Sequence, residues 1–442
     1  MQHTLLPEHV MPQLPAHATG LSSRLPTALL LGCAITLAAC TSYSVNAEPT
    51  RPATNSQAEQ NGSFEQWLAD FQNRALAQGV DPAILQQATR ELSPDPAVIR
   101  ADQHQPEFSR PVWEYLDGAV SNTRISSGQR LLSERAELLS AIEERYGVDR
   151  HILVAIWGLE SNFGGNMGSR NIVRSLATLA HEGRRPEFAE TQLLAALDIL
   201  QRGDIAVDAM VGSWAGAMGQ TQFIPTTYNS HAVDFDGNGK RDIWGSEADA
   251  LASAANYLRA SNWQSKQPWG FEVSLPDGFD YASADLSQRR SLAEWRDAGV
   301  HLPSGVSGLN DDSHAAILLP AGHRGPAFMV LDNFRSIMRY NSSTSYALAI
   351  GLLSERLQGR GQIQASWPTQ DQPLTREQRL ELQQILTDTG FEPGGVDGIL
   401  GANTRAAVRR FQQQQAMAAD GYANLALLKH LRTFAEQTAA SN

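Results

Sequence analysis

Apolar residues recur at every third or fourth position through much of the chain, a spacing that is typical of amphipathic α-helices. In SFEQWLADFQNRALAQG, Phe64, Trp67 and Phe71 fall on one face, and Ser63 precedes them as a candidate N-cap. The run DRHILVAIWGLE begins with Asp149, another residue that favours a helix start. ADALASAANYLRAS continues the pattern with many alanines. The sequence therefore predicts a mainly α-helical protein.

The period changes between residues 268 and 330, where the apolar runs become short. WGFEVSLP, AAILLP and PAFMVLD are apolar or alternating segments bounded by proline and glycine, which favours β-strands. We therefore expect an α+β fold in which a small β subdomain interrupts a helical region over residues 63–360. Residues 361–373, GQIQASWPTQDQP, are predicted to be a linker, and two helices around a glycine-rich turn indicate a further module over residues 374–435.

The beginning of the chain differs from the rest. Residues 25–39 are apolar, follow Arg24 and lead into Cys40, and the run is short for a membrane span, so residues 1–39 are predicted to be an export signal. The ending Leu-Ala-Ala-Cys resembles the lipobox of bacterial lipoproteins, which implies lipidation of Cys40; cleavage without lipid is the alternative. Residues 40–62 are polar and predict a flexible tether.

Composition limits the classes of function. The chain has 442 residues, of which 42% are hydrophobic and 19% charged, an ordinary globular composition. Its formal net charge of −12 argues against general binding of nucleic acid or of anionic membrane surfaces. Both cysteines, Cys33 and Cys40, lie near the start of the chain, so the remainder has no thiol for an internal disulfide or a metal site.

The stretch AIWGLESNFG places one carboxyl group, Glu160, at the end of an apolar helix. On a helix, Ile156 and Trp157 share the face of Glu160, and removal of water from the carboxyl group should raise its pKa. A protonated carboxylic acid is the proton donor that cleavage of a sugar acetal needs. Gly164 and Gly165 are expected to break the helix and to let a ligand approach. The alternative is a structural glutamate at a helix end.

A second unusual segment is GSWAGAMGQTQFIPTTYN, residues 212–229. Small residues, glutamines and aromatic residues alternate in it without a hydrophobic period. This composition favours a loop that lines a cleft, with Ser213, Gln220 and Gln222 as neutral hydrogen-bonding groups. The alternative is a plain turn between helices.

The segment DFDGNGKRDIWGSEAD, residues 234–249, begins like an EF-hand calcium loop. Carboxylates, amides and a backbone carbonyl occupy the positions of metal ligands, and a glycine provides the tight turn. The candidate ligands are Asp234, Asp236, Asn238, Lys240 through its carbonyl, and Asp242. Position twelve should be a bidentate glutamate but is Gly245, which excludes a strict EF-hand. An Asx-rich turn without metal is the alternative.

Three separated motifs, ESNFG, GAMGQTQFIPTTY and RYNSSTSYALA, resemble the membrane-bound lytic transglycosylase B family, whose catalytic core is lysozyme-like. The resemblance covers roughly residues 63–360. It implies cleavage of the β-1,4 bond between N-acetylmuramic acid and N-acetylglucosamine in peptidoglycan, with formation of 1,6-anhydromuramoyl ends. No cofactor is required for this chemistry.

The resemblance also implies roles for single residues. Glu160 falls on the family's only catalytic acid/base, and no second acid lies between Phe163 and His181, although a partner from elsewhere in the chain stays open. Ser213 matches a serine that binds the substrate's acetamido group. The remaining matches are substrate-binding residues, namely Gln222, Tyr340, Asn341, Tyr346, Tyr115 and the basic pair Arg184 and Arg185. Where the family often has tyrosine, this chain has Trp214 and Phe188, which alters peptide contacts without affecting the chemistry.

Two further expectations come from resemblance. In the family's longer variant of the metal loop, Asp249 aligns with a late acidic ligand, so a structural Ca²⁺ is favoured. The C-terminal segment resembles the peptidoglycan-binding domain type 1, a three-helix fold in which Asn403 would cap the second helix while Val408 and Phe411 face the core. The anchors of this resemblance are Asp397, Gly398, Gly401, Asn403, Thr404, Phe411, Asp420 and Gly421.

The predicted protein is thus a lytic transglycosylase that faces the periplasm of a Gram-negative bacterium and binds glycan strands. By resemblance, Thr41 and Ser42 after the lipidated cysteine favour the outer membrane, and the family favours a monomer. A hydrolytic muramidase and a non-catalytic wall-binding lipoprotein are the alternatives. Release of products with anhydro ends would distinguish a lytic transglycosylase from these two alternatives.

Overall fold

The computed structural model describes residues 62–103, 110–303, 306 and 308–441. The predicted signal peptide, Cys40 and the tether up to residue 61 lie outside the described residues. None of the described helices combines the length and the apolar character that a bilayer crossing requires.

The mainly helical prediction is confirmed. The region over residues 63–360 and the C-terminal region are both built from short and medium-length helices. The α-helices are α1 (Phe64–Ala77), α2 (Pro82–Thr89), α3 (Pro96–Gln103), α4 (Val112–Ala119), α5 (Asn122–Glu134), α6 (Ala136–Tyr146), α7 (Arg150–Ser161), α8 (Ile172–Glu182), α9 (Pro186–Arg202), α10 (Pro225–His231), α11 (Glu247–Ala260), α12 (Leu292–Asp297), α13 (Asp332–Tyr340), α14 (Thr344–Leu357), α15 (Arg376–Asp388), α16 (Ala402–Gln414) and α17 (Leu425–Ser441).

Helix starts follow the chemistry of the chain. Ser63 caps α1: its hydroxyl accepts the backbone N–H of Gln66, whose side chain returns the bond to the Ser63 N–H. Asp149 caps α7 by accepting the N–H of His151 at 2.7 Å. Both N-caps are those that the sequence predicted.

Two hydrophobic clusters divide the helical part. In the first, α7 is buried from Ile152 to Gly158 and packs along α14, with α5 and α11 beside it. In the second, α1, α8 and α9 bury their apolar faces together. A helix that is buried on nearly all sides is held rigidly by its neighbours, so the position of α7 is well defined up to the residues at its end.

A small antiparallel sheet interrupts the helices, as predicted. Its strands are β3 (Gly270–Val273), β4 (Arg290–Ser291), β5 (His314–Leu318) and β6 (Ala327–Val330), in the order β3-β6-β5-β4. The central strand β6 is buried throughout, and Trp295 of α12 is fully buried beneath the sheet. A two-residue pair, β1 (Arg170–Asn171) with β2 (Val211–Gly212), lies before it in the chain.

The C-terminal region is a three-helix module of α15, α16 and α17, as predicted. Val408 and Phe411 are fully buried in its core. The expected role of Asn403 is wrong: α16 starts at Ala402 with Gly401 as its N-cap, and no side chain caps it. The helix begins one residue before Asn403, so Asn403 lies within its first turn, where it is exposed.

The module contacts the β subdomain through polar groups. The buried carboxylate of Asp420 accepts the backbone N–H of His323 at 2.9 Å and bonds its Nδ1 at 2.6 Å. Arg409 of the module pairs with Asp285, and Arg324 of the β subdomain pairs with Asp371 in the segment that precedes the module. These contacts attach the module to the catalytic region in a defined position.

Candidate active site

The end of α7 carries Glu160. The helix ends at Ser161, earlier than the glycines that were expected to break it, and the three residues after it, Asn162, Phe163 and Gly164, have φ values of 50°, 59° and 80°. Left-handed conformations cost free energy in Asn and Phe, and such strain is kept where the surroundings fix it. The Ser161 hydroxyl accepts the N–H of Gly164 at 2.9 Å and thereby holds this turn.

Glu160 as a whole residue is partly exposed, but its carboxyl group is surrounded by protein and has one strong partner. The hydroxyl of Tyr346 donates a hydrogen bond to Glu160 Oε1 at 2.5 Å. Burial raises the pKa of Glu160 to about 7, and the Tyr346 hydrogen bond partly opposes that rise. A raised pKa is what the apolar neighbours of Glu160 on the helix predicted. Near neutral pH, Glu160 can both donate and accept a proton.

Three tyrosines surround the carboxyl group. Burial, together with the negative charge of Glu160, raises the pKa of Tyr340 and of Tyr346 well above the ordinary range. Tyr115 of α4 contributes further to the raised pKa of Tyr346, which places it in the same group. Glu160 and these three tyrosines form what we call the Glu160 cluster. The phenols of Tyr340 and Tyr346 stay neutral, and because their O–H groups already donate within the protein, their oxygens can only accept hydrogen bonds from a polar substrate.

Tyr340 also fixes the loop over residues 212–229. Its hydroxyl donates to the backbone carbonyl of Thr221 at 2.7 Å, and its ring contacts Phe223 and Tyr257 with centroids 5.6 and 5.2 Å away. Asn341 follows Tyr340 and is exposed, with Oδ1 accepting the N–H of Ser343 at 3.1 Å in the turn between α13 and α14.

Ser213 and Gln222 hold turns within the loop. Ser213 Oγ accepts the N–H groups of Ala217 at 3.0 Å and Ala215 at 3.3 Å, so its O–H proton is what the hydroxyl can still offer a ligand. Gln222 has φ of 51°, and its Nε2 donates to the carbonyls of Gly219 and Met167. Its Oε1 is the part of the amide that can accept from a substrate.

Gln220 departs from the expectation of a cleft residue. Its side chain is 5% exposed and lies between α7 and the loop over residues 234–249. Trp157 Nε1 donates to Gln220 Oε1 at 2.9 Å, and Gln220 Nε2 donates to the carbonyl of Trp244 at 3.2 Å. Because both ends of this amide already bond protein groups, we do not expect it to bind substrate.

Comparison with known proteins now gives the family. A family model described as Transglycosylase SLT domain matches residues 63–355. The chain belongs to this transglycosylase family. A second model, for a peptidoglycan binding domain, matches residues 375–431. The protein is therefore a lytic transglycosylase, a lyase that acts on peptidoglycan, with a lysozyme-like catalytic fold.

Three relatives illustrate the similarity. Membrane-bound lytic murein transglycosylase B of Escherichia coli K12 is 30% identical over 362 residues, which are 74% of this chain and 96% of that protein. SltB3 from Pseudomonas aeruginosa, solved with NAG-anhNAM-pentapeptide, is 57% identical with a TM-score of 0.81 over 84% of this chain and 99% of its own. The Escherichia coli lytic transglycosylase SLT35, solved with calcium, is 28% identical with a TM-score of 0.56 over 67% and 94% of the two chains.

The basic pair of the transglycosylase lies at the start of α9. Arg184 bonds the buried carboxylate of Asp102 through its backbone N–H at 3.0 Å and Nη2 at 3.1 Å. Arg185 is exposed and stacks over the exposed ring of Phe188, with its guanidinium carbon 4.3 Å from the centroid. Among the described residues, none of these contacts reaches the Glu160 cluster. Trp214 packs partly buried against the second helical cluster.

The loop over residues 234–249, which we call the acidic loop, brings together three of the six predicted metal ligands. Carboxylate oxygens of Asp234, Asp236 and Asp249 lie within 4.8 Å of one another. Asp249 is fully buried, and burial together with the charge of Asp236 raises its pKa although three backbone N–H groups oppose the rise.

The other three predicted ligands take part in turns. Asn238 Oδ1 accepts the N–H of Lys240 at 2.9 Å, and Asp242 Oδ1 accepts those of Trp244 and Gly245. Lys240 enters the turn through its N–H, and its carbonyl accepts no backbone hydrogen bond from another described residue.

Sequence reasoning missed Ser161 and Gln220 as supports of the site. Both residues lie inside the recognised motifs, but a motif does not tell which of its polar residues face a ligand and which face the protein. The one available signal is that Gln220 lies between small and apolar residues in MGQTQF.

The raised pKa predicts a pH-dependent effect on stability. Between about pH 4.5 and pH 7 the unfolded carboxyl ionises while the folded one keeps its proton, so the folded state loses stability as the pH rises and the loss is constant above about pH 7. Glu160→Gln removes the group. We expect this variant to melt like the wild type at about pH 4 and to be more stable by up to roughly 3 kcal/mol at about pH 8.

Thermal melts followed by circular dichroism over this pH range measure the difference. Glu144→Gln, at an exposed position of α6, is the matched control and should show no such trend. If the difference in stability between Glu160→Gln and the wild type were the same at every pH, the conclusion that the buried carboxyl group keeps its proton would be wrong.

Proposed function

We propose that Glu160 acts alone as the acid and then the base of the lytic transglycosylase reaction. The observation that carries the proposal is the position of the Glu160 carboxyl group, which lies at the end of the buried helix α7 with the Tyr346 hydroxyl as its hydrogen-bond partner. Burial, and not a neighbouring carboxylate, raises its pKa to about 7. Two acids that follow the Glu160 motif in the chain are paired with arginines: Asp198 with Arg202 at 2.8 Å, and Asp204 with Arg241. This supports a reaction with one carboxyl group.

The geometry suits two successive proton transfers. Protonated Glu160 donates to the glycosidic oxygen, and the substrate's 2-acetamido group meets the positive charge that develops at the anomeric carbon. Ionised Glu160 then accepts the proton of the C6 hydroxyl, which closes onto that carbon and forms the 1,6-anhydro ring. The Tyr346 hydroxyl fixes the orientation of the carboxyl group between the two steps.

The surrounding residues support recognition of an amide-bearing sugar. Ser213 keeps its O–H as a donor for the acetamido oxygen, since backbone N–H groups occupy its oxygen. Gln222, Tyr115, Tyr340 and Asn341 offer neutral polar groups to the glycan. SltB3, which is similar to this chain, was solved with NAG-NAM-pentapeptide. Arg185 with Phe188, an exposed cation on an apolar ring, suits the carboxylates of peptide stems.

Digestion of purified sacculi tests this reaction. We expect muropeptides with 1,6-anhydro ends, one water lighter than reducing ends by mass spectrometry, and a rate that falls above about pH 7 as Glu160 loses its proton. Glu160→Gln should lower the rate by at least about a hundredfold, while Glu144→Gln should not. Reducing ends would indicate a hydrolytic muramidase, and an active Glu160→Gln variant would remove the catalytic assignment.

The acidic loop is proposed to hold a structural Ca²⁺ through Asp234, Asp236 and Asp249. Support comes from the fit: three carboxylates converge, and the fully buried Asp249 lies beside the charge of Asp236. Hard oxygen ligands suit Ca²⁺, which would neutralise this repulsion and fix the loop ahead of α11. SLT35, which is similar to this chain, was solved with calcium.

A melting scan with Ca²⁺ and with chelator tests the ion. At a Ca²⁺ concentration about 100-fold above Kd we expect the melting temperature of the catalytic region to rise by roughly 5 °C, because the ion binds only the folded loop. Asp249→Asn should abolish this rise, whereas Asp312→Asn, at an exposed loop position, should keep it. No rise in the wild type at saturating Ca²⁺ would remove the proposed site.

Lipidation of Cys40 is proposed to attach the enzyme to the outer membrane on the periplasmic side. The support is the sequence alone: a short apolar run that ends in Leu-Ala-Ala-Cys, with Thr41 and Ser42 after it. Acyl chains give firm attachment without a spanning helix. The C-terminal module is proposed to hold the enzyme on its polymeric substrate and thus to raise the local substrate concentration.

Cell fractionation with labelled fatty acid tests the anchor. The wild type should carry label and sediment with outer membranes, and Cys40→Ser should lose the label and the membrane fraction. Cys33→Ser, inside the apolar run, is the control that should keep both. A Cys40→Ser protein that still sediments with membranes would contradict lipid anchoring.

A further inference from the structure

Gln220 is bonded through all four of its polar groups, and these bonds connect two parts of the enzyme. On one side, Trp157 Nε1 donates to its Oε1 at 2.9 Å and Ser161 Oγ donates to its backbone carbonyl at 2.8 Å. On the other, its backbone N–H donates to the carbonyl of Ile243 at 2.9 Å and its Nε2 to that of Trp244 at 3.2 Å. It therefore bridges α7 and the acidic loop.

The two bonds to α7 flank Glu160. Trp157 precedes Glu160 by three residues on the same helix face, and Ser161 is its immediate neighbour. Gly164 also packs against this amide: a Cβ built on it would lie 2.8 Å from Gln220 Oε1. The amide thus contacts both the last turn of α7 and the left-handed turn that follows, which together set the direction of the Glu160 side chain.

We propose that Gln220 is a positioning residue for Glu160, which fixes the end of the catalytic helix against the acidic loop. It does not touch substrate, because its side chain is buried and both ends of its amide bond protein groups. The inference rests on the proposed role of Glu160 as acid and base.

Loss of the bridge has a definite consequence for the reaction. When the end of α7 loosens, water reaches the Glu160 carboxyl group and the desolvation that keeps it protonated decreases. The titratable groups of the described residues that face Glu160 are Tyr346, Tyr340 and Tyr115, and the raised pKa values of Tyr346 and Tyr340 keep those two phenols neutral near pH 7. The alkaline limb of the pH–rate profile, where activity falls as Glu160 loses its proton, should therefore move to lower pH. Substrate contacts made by other residues remain.

The test is Gln220→Met, which keeps the length of the side chain and removes both amide functions. With sacculi as substrate, we expect kcat near pH 7 to fall about tenfold to a hundredfold, and the alkaline limb to move down by about one pH unit. The sacculus concentration for half-maximal rate should change by less than about twofold, since uniform binding is not affected.

Gln192→Met is the matched control. Gln192 is 2% exposed, and its Oε1 accepts the N–H and the hydroxyl of Thr226 at 3.1 and 3.0 Å, so it joins α9 to α10 as Gln220 joins α7 to the acidic loop. A purely structural role of Gln220 would make the two variants alike: both would lose stability, and neither would shift the pH profile.

Ser161→Ala is a smaller change that keeps the test decisive if Gln220→Met does not fold. It removes the bond to the Gln220 carbonyl and the one to the Gly164 N–H, and it should move the alkaline limb in the same direction. A folded Gln220→Met or Ser161→Ala variant with the wild-type alkaline limb would overturn the proposal. Failure of the catalytic assignment would show separately, as an active Glu160→Gln variant.

Discussion

The burial of one carboxyl group at the end of α7 is the constraint on which the site depends. Glu160 keeps a proton near neutral pH because protein atoms replace water around it, while the Tyr346 hydroxyl stabilises its ionised form. The two effects act in opposite directions, and their balance leaves a group that both gives and takes a proton. Tyr346 is itself fixed, since Ser343 caps α14 by accepting the Tyr346 N–H.

Such a balance requires that the end of α7 does not move. The helix is buried on nearly all sides. Its end is held by the hydrogen bonds of Ser161 and Gln220 and by the ring of Phe163, which packs edge-on against Trp157. Strained backbone at Asn162 and Phe163 is tolerated because those bonds fix it. The stable core and the strained turn thus have separate roles: the core supplies rigidity, and the turn directs the acid.

The sequence predicts features that depend on local chemistry. The β-strands around WGFEVSLP and PAFMVLD and the cap at Ser63 follow from period and from hydrogen-bonding residues at fixed spacing. The raised pKa of Glu160 also followed from its apolar neighbours. What sequence could not give is which polar side chain faces inward. Gln220 and Gln222 differ by two positions in one motif, yet one is bonded between two elements and the other lies by the cleft loop.

The same limit applies to the C-terminal module. Its Asp420-Gly421 turn follows the pattern of a peptidoglycan-binding domain, and Gln412 and the N–H of Tyr422 bond Asp420 Oδ1 within the module. Its second oxygen bonds His323 of the catalytic region, a partner about 100 residues away that no local pattern indicates. One carboxylate therefore serves both the turn and the junction. Because the module is attached at this point, the glycan strand that we propose it binds would be presented in a fixed relation to the β subdomain.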